Sequence, residues 1–361
     1  MSRFFSSRFS DLKPYVPGMQ PSDPTGYIKL NTNESPFPVS AKALEYAERN
    51  ARPSNLYCDT DAKDLCALFA KTVGVDPDEV IAGNGSDEIL NFAFMAFCGE
   101  GCPAVFPDIT YGFYTVFAAL NGIDQVIVPL ADDLSINVEE LLNVKGTLFI
   151  ANPNAPTGIA LKPSEIERLA QADPDRMIVV DEAYVDFGAD SCIPLTKKYD
   201  NILVVQTFSK SRSMAGARLG FAVGNSALIN DLKTIKYSTN PYNVNSCTQA
   251  LGTGVLMDPD YTQKCCRTIM DNREYTVKEL KKLGFEFTDS SANFVFARHP
   301  GCSAEMLLDR LAERKILVRH FGIPRIKEYL RITIGSKDQM DILLKALAQI
   351  IAEASANGGC L

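Results

Sequence analysis

The feature that constrains this fold most is a set of three short apolar runs, each followed by a polar residue. The runs are rich in β-branched residues and comprise residues 147–150, 177–180 and 202–205. Runs of this kind are typical of strands that are buried on both faces of a parallel sheet. Asn152, Asp181 and Lys210 follow them at intervals of 29 residues, which matches the length of about 30 residues of a βαβ unit. The sequence therefore predicts an α/β fold with a mostly parallel central sheet.

The three polar residues are expected to meet at one edge of that sheet. The carboxyl ends of parallel strands lie at the same edge, where open α/β sheets collect the residues that bind ligands. Taken singly, Asn152 could open a turn, Asp181 could cap a helix and Lys210 could be a solvated surface charge. Their common spacing favours one shared site that holds an amide, a carboxylate and an amine.

A glycine-containing turn upstream is a candidate anion site. Residues 80–88 indicate a strand end, a turn at Gly85 and a helix start, with Ser86 as the predicted N-cap. Backbone N–H groups and the helix dipole at such a start bind phosphate, and glycine permits close approach. Because the carboxylates of Asp87 and Glu88 would repel a phosphate, the backbone is expected to bind it. Ordinary helix capping is the alternative interpretation.

The pattern changes after about residue 240, which indicates a second, smaller domain. A long helical segment is predicted there, followed by segments that alternate as antiparallel strands do. The helical segment is 258–283, the strand segments are 284–287, 293–297, 316–319 and 329–335, and a final helix runs from about 337 to 353. We predict an N-terminal arm (1–40) that contacts the small domain or a partner subunit, a large domain (41–240) and a small α+β domain (241–361).

Charge and cysteine usage limit the partners and the compartment. The chain has 36 Lys and Arg against 44 Asp and Glu, a net charge of −8, so no overall positive field attracts nucleic acid or an anionic membrane. Its 361 residues, 46% of them apolar, are typical of a soluble protein of about two domains. Ten scattered cysteines without a C-x-x-C pair, and two histidines, favour neither a disulfide scaffold nor a metal site. We expect a reducing, cytoplasmic location.

An amine, a carboxylate and an amide at neighbouring strand ends suit the chemistry of pyridoxal 5′-phosphate. A lysine forms the covalent link to this cofactor, and an aspartate keeps the ring nitrogen protonated so that the ring accepts electrons from the substrate Cα. Asp181 does this only while it is ionised, and a buried cationic partner lowers its pKa and favours that state. The residues therefore predict a pyridoxal phosphate enzyme that depends on Lys210 and Asp181.

Four segments carry motifs of a known family. They are L-N-T-N-E-S-P at 30–36, N-P-N-A-P-T-G at 152–158, D-E-A-Y at 181–184 and T-F-S-K at 207–210. In this order and spacing they resemble the fold-type I aminotransferases of class II, and within them the histidinol-phosphate aminotransferase family. The resemblance spans nearly the whole chain. It implies a fold-type I large domain with a mostly parallel sheet, a small α+β domain and pyridoxal phosphate-dependent transamination.

The resemblance also implies roles around the cofactor. Lys210 would carry the cofactor and move a proton between the substrate Cα and C4′ of the cofactor. Tyr184 and Asn152 would hydrogen-bond the phenolic oxygen, Asp181 would pair with the ring nitrogen, and Tyr111 would stack on the ring. The implied ligands of the phosphate are Ser209, Arg218 and the amides of Gly85 and Ser86, and Asp87 is a further predicted cofactor-binding residue.

Substrate contacts are implied in the same way. Arg331 resembles the arginine that binds the carboxylate of glutamate and 2-oxoglutarate through a bidentate pair. L-Histidinol phosphate has no carboxylate, so a second basic residue must hold its phosphate. Arg319, helped by Tyr15 of the arm, is the candidate, and a structural salt bridge is the alternative for Arg319. Asn33 of the first motif is a further predicted substrate contact.

Tyr57 implies a homodimer. It matches a family tyrosine that reaches the cofactor phosphate of the other subunit, so each active site would depend on two chains. The family commonly has proline after this tyrosine, whereas this chain has Cys58.

The leading hypothesis is a homodimeric, cytoplasmic aminotransferase that exchanges an amino group between glutamate and imidazole acetol phosphate and so gives histidinol phosphate for histidine biosynthesis. Threonine-phosphate decarboxylase has the same fold and cofactor and is the nearest alternative, and an aromatic amino acid aminotransferase is another. An alternative of a different class is a regulatory protein that binds pyridoxal phosphate without turnover.

Overall fold

Strands and helices alternate along most of the chain. The computed structural model describes residues 2–23 and 25–356; Met1, Pro24 and residues 357–361, which end the predicted small domain and include Cys360, lie outside the described residues. In chain order the described strands are β1 (Ile28–Lys29), β2 (Val80–Gly83), β3 (Ala104–Pro107), β4 (Gln125–Val128), β5 (Thr147–Ala151), β6 (Ile178–Asp181), β7 (Ile202–Thr207), β8 (Gly220–Gly224), β9 (Glu286–Phe287), β10 (Phe294–Arg298), β11 (Ile316–Leu317), β12 (Arg319–His320) and β13 (Leu330–Thr333). The described α-helices are α1 (Ala41–Asn50), α2 (Lys63–Val73), α3 (Ser86–Phe97), α4 (Phe113–Asn121), α5 (Val138–Leu142), α6 (Pro163–Ala172), α7 (Ser226–Thr239), α8 (Ser246–Leu256), α9 (Pro259–Lys282), α10 (Ala304–Glu313) and α11 (Lys337–Ala356).

Strands β2 to β8 form one sheet, in the order β2, β8, β7, β6, β5, β3, β4. The pairs from β4 to β7 are parallel, whereas β8 runs antiparallel to both β7 and β2. The register places Ala151 beside Asp181 and Asp181 beside Val205. The predicted α/β fold with a mostly parallel sheet is confirmed, and the ends of β5, β6 and β7 do lie at one edge.

The central strands are apolar throughout because helices cover both faces of the sheet. On one face Ile150 and Val180 pack in a core with Phe69 of α2. On the other, Phe149 packs in a core with residues of α3, α4 and α7, and its ring stacks on Phe94 of α3 at 3.9 Å between centroids. The β-branched runs of the sequence therefore correspond to strands that are buried on both faces.

The second part of the chain forms an antiparallel sheet in the order β12, β13, β10, β9. The predicted long helix corresponds to α9, and the predicted final helix to α11, which extends three residues beyond Glu353. Strand β1 of the N-terminal segment pairs in parallel with β11, and Leu30 belongs to the same core as Phe294 and Leu343. The end of the N-terminal segment is thus part of the smaller unit.

Packing locates the division between the two units later than the sequence boundary at residue 240. Helix α8 follows that boundary, yet it packs on α1 and α2 of the large unit. A Cβ at Gly254 would lie 2.8 Å from the backbone oxygen of Ala43, so glycine allows the two helices to approach closely. Residues 239–243 are a connector within the large unit, and we place the division near the start of α9. In the part of the chain that the structure describes, no helix has the length and apolarity needed to cross a membrane.

Candidate active site

A cavity of about 270 Å³ opens at the carboxyl edge of the central sheet. Eight of the predicted site residues line it, namely Ser86, Asp87, Tyr111, Asp181, Tyr184, Ser209, Lys210 and Arg218. These residues come from several separate segments of the chain, and the parallel strands bring the segments together. The cavity is therefore the predicted site.

Lys210 lies in the loop that follows β7, with its amine buried in the cavity wall. Its Nζ donates a hydrogen bond to the carbonyl oxygen of Thr32 at 3.1 Å. Burial, reinforced by the positive charge of Arg331, lowers the pKa of Lys210 from 10.5 to about 8. With this pKa roughly a tenth of the amine is neutral at pH 7, and the neutral amine is the nucleophile that forms an imine with an aldehyde.

Asp181 ends β6 and is 4% exposed. Its Oδ2 accepts a hydrogen bond from the hydroxyl of Tyr114 at 2.9 Å, and its Oδ1 accepts one from the N–H of Ala183 at 3.3 Å. Burial raises the pKa of Asp181 to about 7, and the bond from Tyr114 opposes this rise. A cationic ring nitrogen facing the carboxylate would favour its ionised form.

Tyr114 is a site residue that the sequence analysis missed. It is fully buried on α4, and its hydroxyl has Asp181 as its hydrogen-bond partner. Tyr111 and Tyr114 are three residues apart, and their rings meet edge to face at 5.7 Å between centroids. The i, i+3 spacing places such a pair on one side of a helix start, a signal that could have identified Tyr114 from the sequence.

Replacing Tyr114 with phenylalanine is expected to weaken the binding of pyridoxal 5′-phosphate about tenfold, because the ionised carboxylate of Asp181 loses a donor while the ring packing is kept. Titration of the cofactor-free protein with the cofactor measures this. Tyr275→Phe is the matched control, because the hydroxyl of Tyr275 also donates to a carboxylate, that of Asp341, on the protein surface. Equal affinities of wild type and Tyr114→Phe would contradict the assignment.

The start of α3 and the loop after β7 form the predicted phosphate cup. Gly85, with a φ of +82°, is the N-cap of α3, and Ser86 is the first residue of the helix. The prediction of Ser86 as N-cap is therefore wrong. A Cβ at Gly85 would lie 2.5 Å from Nη2 of Arg218. Nη1 of Arg218 donates to the hydroxyl oxygen of Ser209 at 3.4 Å. N–H groups, a hydroxyl and a guanidinium thus surround a space that suits a phosphate.

The carboxylate of Asp87 faces this cavity, although the sequence analysis expected the backbone alone to do so. Its Oδ2 lies 2.8 Å from Nη2 of Arg218, and its Oδ1 accepts the hydroxyl proton of Tyr111 at 2.6 Å. Glu88 is turned to other partners, the N–H of Asn84 at 2.7 Å and the amide of Asn243 at 2.5 Å. The charge of Arg218 offsets the repulsion that Asp87 would exert on an anion.

Tyr184 and Asn152, both predicted to contact the phenolic oxygen of a cofactor, have different hydrogen-bond partners. Tyr184 lines the cavity, and its hydroxyl accepts a hydrogen bond from Asn33 Nδ2 at 2.9 Å. Asn152 is fully buried, and both polar atoms of its amide bind the backbone of Leu161, at 2.8 and 3.1 Å. Ala155 of the same motif lines the cavity instead. Asn152 therefore fastens its own loop, and one N–H of its amide remains for the predicted contact with the phenolic oxygen.

Three of the predicted substrate residues, Arg331, Arg319 and Tyr15, lie near enough to one another to interact electrostatically. The guanidinium of Arg331 lies between the rings of Phe294 and Phe321, 5.4 Å from each centroid, and its buried Nε has no hydrogen-bond partner. Tyr15 and Arg319 are close enough to affect the pKa of Arg331, which burial lowers. A buried guanidinium with an unpartnered N–H fits an anionic ligand.

Arg319 and Tyr15 also fix the N-terminal arm. Nη2 of Arg319 donates to the carbonyl oxygen of Val16 at 3.1 Å, and the ring of Tyr15 stacks on Phe113 at 4.2 Å. No salt bridge of Arg319 occurs among the described residues, whereas its contact with the arm is explicit.

Tyr57 does not line the cavity of its own chain. It is 75% exposed, and its ring stacks on that of Tyr242 at 4.3 Å. Thr32 and Glu34 also line the cavity and were not predicted, although both flank Asn33 in the first motif.

Comparisons with known proteins agree on one family. A family model described as aminotransferase class I and II matches residues 25–347. The histidinol-phosphate aminotransferase of Brachyspira hyodysenteriae is 44% identical over 355 residues, which cover 97% of this chain and 99% of that protein. Histidinol-phosphate aminotransferase 1 of Bordetella parapertussis is 47% identical over 356 residues, which cover 98% of this chain and 100% of that protein. The structure of histidinol-phosphate aminotransferase from Sinorhizobium meliloti in complex with pyridoxal-5′-phosphate matches with a TM-score of 0.83 and 25% identity, covering 90% of this chain and 91% of that one.

Proposed function

Because this chain belongs to the class I and II aminotransferase family, a family of pyridoxal phosphate enzymes, we propose that it transfers the amino group of L-histidinol phosphate to 2-oxoglutarate. The products are imidazole acetol phosphate and glutamate, and the reverse direction serves histidine biosynthesis. Similarity to curated histidinol-phosphate aminotransferases over nearly the full length supports this choice. The observation that carries it in the structure is the buried, unpartnered Nε of Arg331, whose positive charge acts on the amine of Lys210.

The residues of the cavity fit pyridoxal 5′-phosphate. When bound, the cofactor acts as an electron sink for the substrate Cα. Lys210 would hold it covalently, Asp181 would face its ring nitrogen, and Tyr184 its phenolic oxygen. The N–H groups of Gly85 and Ser86, together with Ser209 and Arg218, would take its phosphate. Asp87 would hold Arg218 and Tyr111 in place, and Tyr111 would cover the ring.

Lys210 has a second task once the substrate amine has displaced it. Its freed Nζ would take a proton from the substrate Cα and deliver it to C4′ of the cofactor. Burial, which lowers the pKa of Lys210 in the cofactor-free chain to about 8, favours the neutral amine that acts as the base.

Substrate recognition would rest on Arg331 and Arg319. Arg331 presents a rigid guanidinium to the carboxylate of glutamate, a bidentate pairing that lysine cannot reproduce. Arg319 and Tyr15 stand beside it on the arm side and would hold the phosphate of histidinol phosphate. Because Arg319 binds two carbonyl groups of the arm, the arm would form one wall of the substrate pocket.

The first experiment adds L-histidinol phosphate, without a keto acid, to the protein loaded with cofactor. We expect the visible band of the lysine-linked cofactor to disappear and to return when 2-oxoglutarate is added. Release of carbon dioxide from threonine phosphate, with no response to histidinol phosphate, would replace the proposal with a decarboxylase. A response to aromatic amino acids alone would indicate a broader aminotransferase, and no response to any amino donor would indicate a binding protein without turnover.

We also propose that the chain works as a homodimer in the cytoplasm. The stacked rings of Tyr57 and Tyr242 are exposed in the single chain, and aromatic pairs of this kind are typical of interfaces. Tyr57 would there reach the phosphate cup of the other subunit. Cys98 and Cys102 lie close together in the chain and are free thiols, which fits a reducing compartment.

Mixing two defective variants tests the shared site. Lys210→Ala and Tyr57→Ala are each expected to be nearly inactive, whereas dimers reassembled from an equal mixture should recover about a quarter of wild-type activity, since half of the dimers are mixed and each mixed dimer has one intact site. Mixtures of Lys210→Ala with Asp181→Asn are the control and should stay inactive, because both residues lie in the site of their own chain. No recovery in the first mixture would contradict the contribution of Tyr57.

A further inference from the structure

A buried polar network connects the hydroxyl of Tyr184 with the antiparallel sheet of the small unit. Nδ2 of Asn33 donates to the hydroxyl oxygen of Tyr184 at 2.9 Å, and Oδ1 of Asn33 accepts the hydroxyl proton of Thr333 at 3.0 Å. The N–H of Asn33 donates back to the hydroxyl oxygen of Thr333 at 3.0 Å. Asn33 and Thr333 are both 1% exposed, so water does not compete for these groups.

The network determines which way the amide of Asn33 points. The hydroxyl oxygen of Thr333 accepts the N–H of Asn33, so its own proton needs an acceptor, and Oδ1 of Asn33 is the acceptor within reach. The opposite orientation of the amide would leave that buried proton without a partner, which is costly. Nδ2 of Asn33 is therefore the atom that faces Tyr184.

This orientation leaves the hydroxyl proton of Tyr184 free. A phenol has one proton to donate, and its oxygen already receives the N–H of Asn33. Tyr184 lines the cavity together with Pro153 and Ala155, neither of which offers a side-chain hydrogen-bond partner. Among the described residues this proton has no hydrogen-bond acceptor, so it is available to a group bound in the cavity.

We propose that Asn33 is a positioning residue that makes Tyr184 an obligate hydrogen-bond donor toward the bound cofactor, rather than a contact of the substrate. The inference rests on the proposed role of Tyr184 at the phenolic oxygen. Asn33 is buried, donates to the hydroxyl oxygen of Tyr184 and is not among the residues that line the cavity, which favours the positioning role over the substrate contact predicted from the first motif.

The backbone around Asn33 is held as firmly as its side chain. Its φ is +55°, a left-handed conformation that asparagine adopts more readily than most residues. The carbonyl oxygen of Asn33 accepts Nδ2 of Asn293 at 3.0 Å. Thr333 lies two residues after Arg331 on β13, so one strand both presents the substrate arginine and orients the amide behind Tyr184.

The test is a spectrophotometric pH titration of the visible band of the lysine-linked cofactor. A hydrogen bond donated to the phenolic oxygen stabilises the deprotonated form of the lysine-linked cofactor. Losing that bond therefore raises the pKa of the lysine-linked cofactor, which the band reports and which is called the pKa of the band below. We expect Tyr184→Phe to raise it by about one unit or more, and Asn33→Gly by about half a unit to one unit. Glycine keeps the left-handed backbone and adds no charge. Arg331 and Asp181, the charged groups that act on Tyr184, stay in place in both variants.

Thr333→Val provides a second variant, with the same shape and strand propensity as wild type and without the hydroxyl that orients the amide. It should raise the pKa of the band in the same direction as Asn33→Gly. In the Y184F background, Asn33→Gly should add no further shift, because its effect passes through the hydroxyl of Tyr184.

The outcomes separate the inference from the proposed function. If Tyr184→Phe shifts the band and neither Asn33→Gly nor Thr333→Val does so, Asn33 does not orient Tyr184 and the inference is wrong. If Tyr184→Phe itself leaves the band unchanged, the role proposed for Tyr184 is wrong, and the inference fails with it. If Asn33→Gly raises KM for histidinol phosphate equally in the wild-type and Y184F backgrounds, Asn33 contacts the substrate and the inference is wrong.

Discussion

Replacing Lys210 with alanine is expected to lower turnover of L-histidinol phosphate by at least about 10⁴-fold, because one side chain supplies both the covalent link and the proton transfer. The visible band of the lysine-linked cofactor should be absent from the variant. The loss should not come from unfolding. Among the described residues the amine makes one hydrogen bond, to the carbonyl oxygen of Thr32. Its removal also ends the cost of burying a charged amine, the cost that lowers the pKa of Lys210.

Lys210→Arg and Lys198→Ala are the matched controls for this prediction. Arginine keeps a positive charge in the cavity but cannot form the covalent link, so Lys210→Arg should be as inactive as Lys210→Ala. Lys198 lies on the surface, paired with Glu167 at 3.5 Å, and its replacement should leave turnover unchanged. A Lys210→Ala variant that retains the band and more than a few per cent of wild-type turnover would contradict the assignment of Lys210.

Replacing Asp181 with asparagine is expected to reduce turnover about 10³-fold, the effect of removing one member of a buried charge pair. An amide cannot stabilise a protonated ring nitrogen as a carboxylate does, so the cofactor loses much of its capacity to accept electrons. Single-turnover measurement of the half-reaction with histidinol phosphate separates this loss from any change in substrate binding. Turnover within tenfold of wild type would exclude the proposed role of Asp181.

For the cofactor-free protein, the free energy of unfolding of Asp181→Asn should exceed that of wild type by a growing amount as the pH rises. Burial raises the pKa of Asp181 to about 7, so the folded chain binds this proton more tightly than the unfolded chain, in which an aspartate titrates near pH ~4. The stability that this proton contributes is fully present below about pH 4 and is lost as the pH rises through about 7. The asparagine of the variant does not titrate, so the free energy of unfolding of Asp181→Asn relative to wild type should increase by on the order of a few kcal/mol between about pH 4 and 8.

Urea unfolding of both cofactor-free proteins across this pH range measures the difference. Burial also raises the pKa of Glu182 to about 7, but this carboxyl is present in both proteins and its contribution cancels in the comparison. A difference that does not change with pH would show that Asp181 is not protonated in the folded, cofactor-free chain. Activity and stability are thus expected to respond to this substitution in opposite directions.

The fold was predictable from the sequence where a strand is buried on both faces along its whole length. The runs before Asn152, Asp181 and Lys210 are apolar because helices cover both faces of the sheet, and this pattern is local in the chain. The division between the units was less predictable. Helix α8 belongs to the large unit through its packing on α1, a contact between segments that are far apart in the chain and that leave no local signal except the glycines of α8.

The site was predictable to the extent that its residues carry motifs. Lys210, Asp181 and Tyr184 meet in the cavity as expected, whereas Tyr114 and the burial of Asn33 were not anticipated. The amide of Asn152 shows why: a motif names a residue, but the atom that its side chain meets, here the backbone of Leu161, depends on how the loop closes.

By itself, the sequence determined the class of fold, the family and the residues able to carry pyridoxal phosphate chemistry, because strand burial and motif spacing are properties of short segments. Only the tertiary structure decided which hydrogen bonds those residues make and what pKa values they have. Asn33 and Thr333 are 300 residues apart in the chain, and the pKa values of Lys210 and Asp181 depend on burial beneath segments that are distant in the chain. Desolvation and hydrogen-bond direction arise only when distant segments pack together, and they convert a set of candidate residues into a site with a defined donor, base and anion contact.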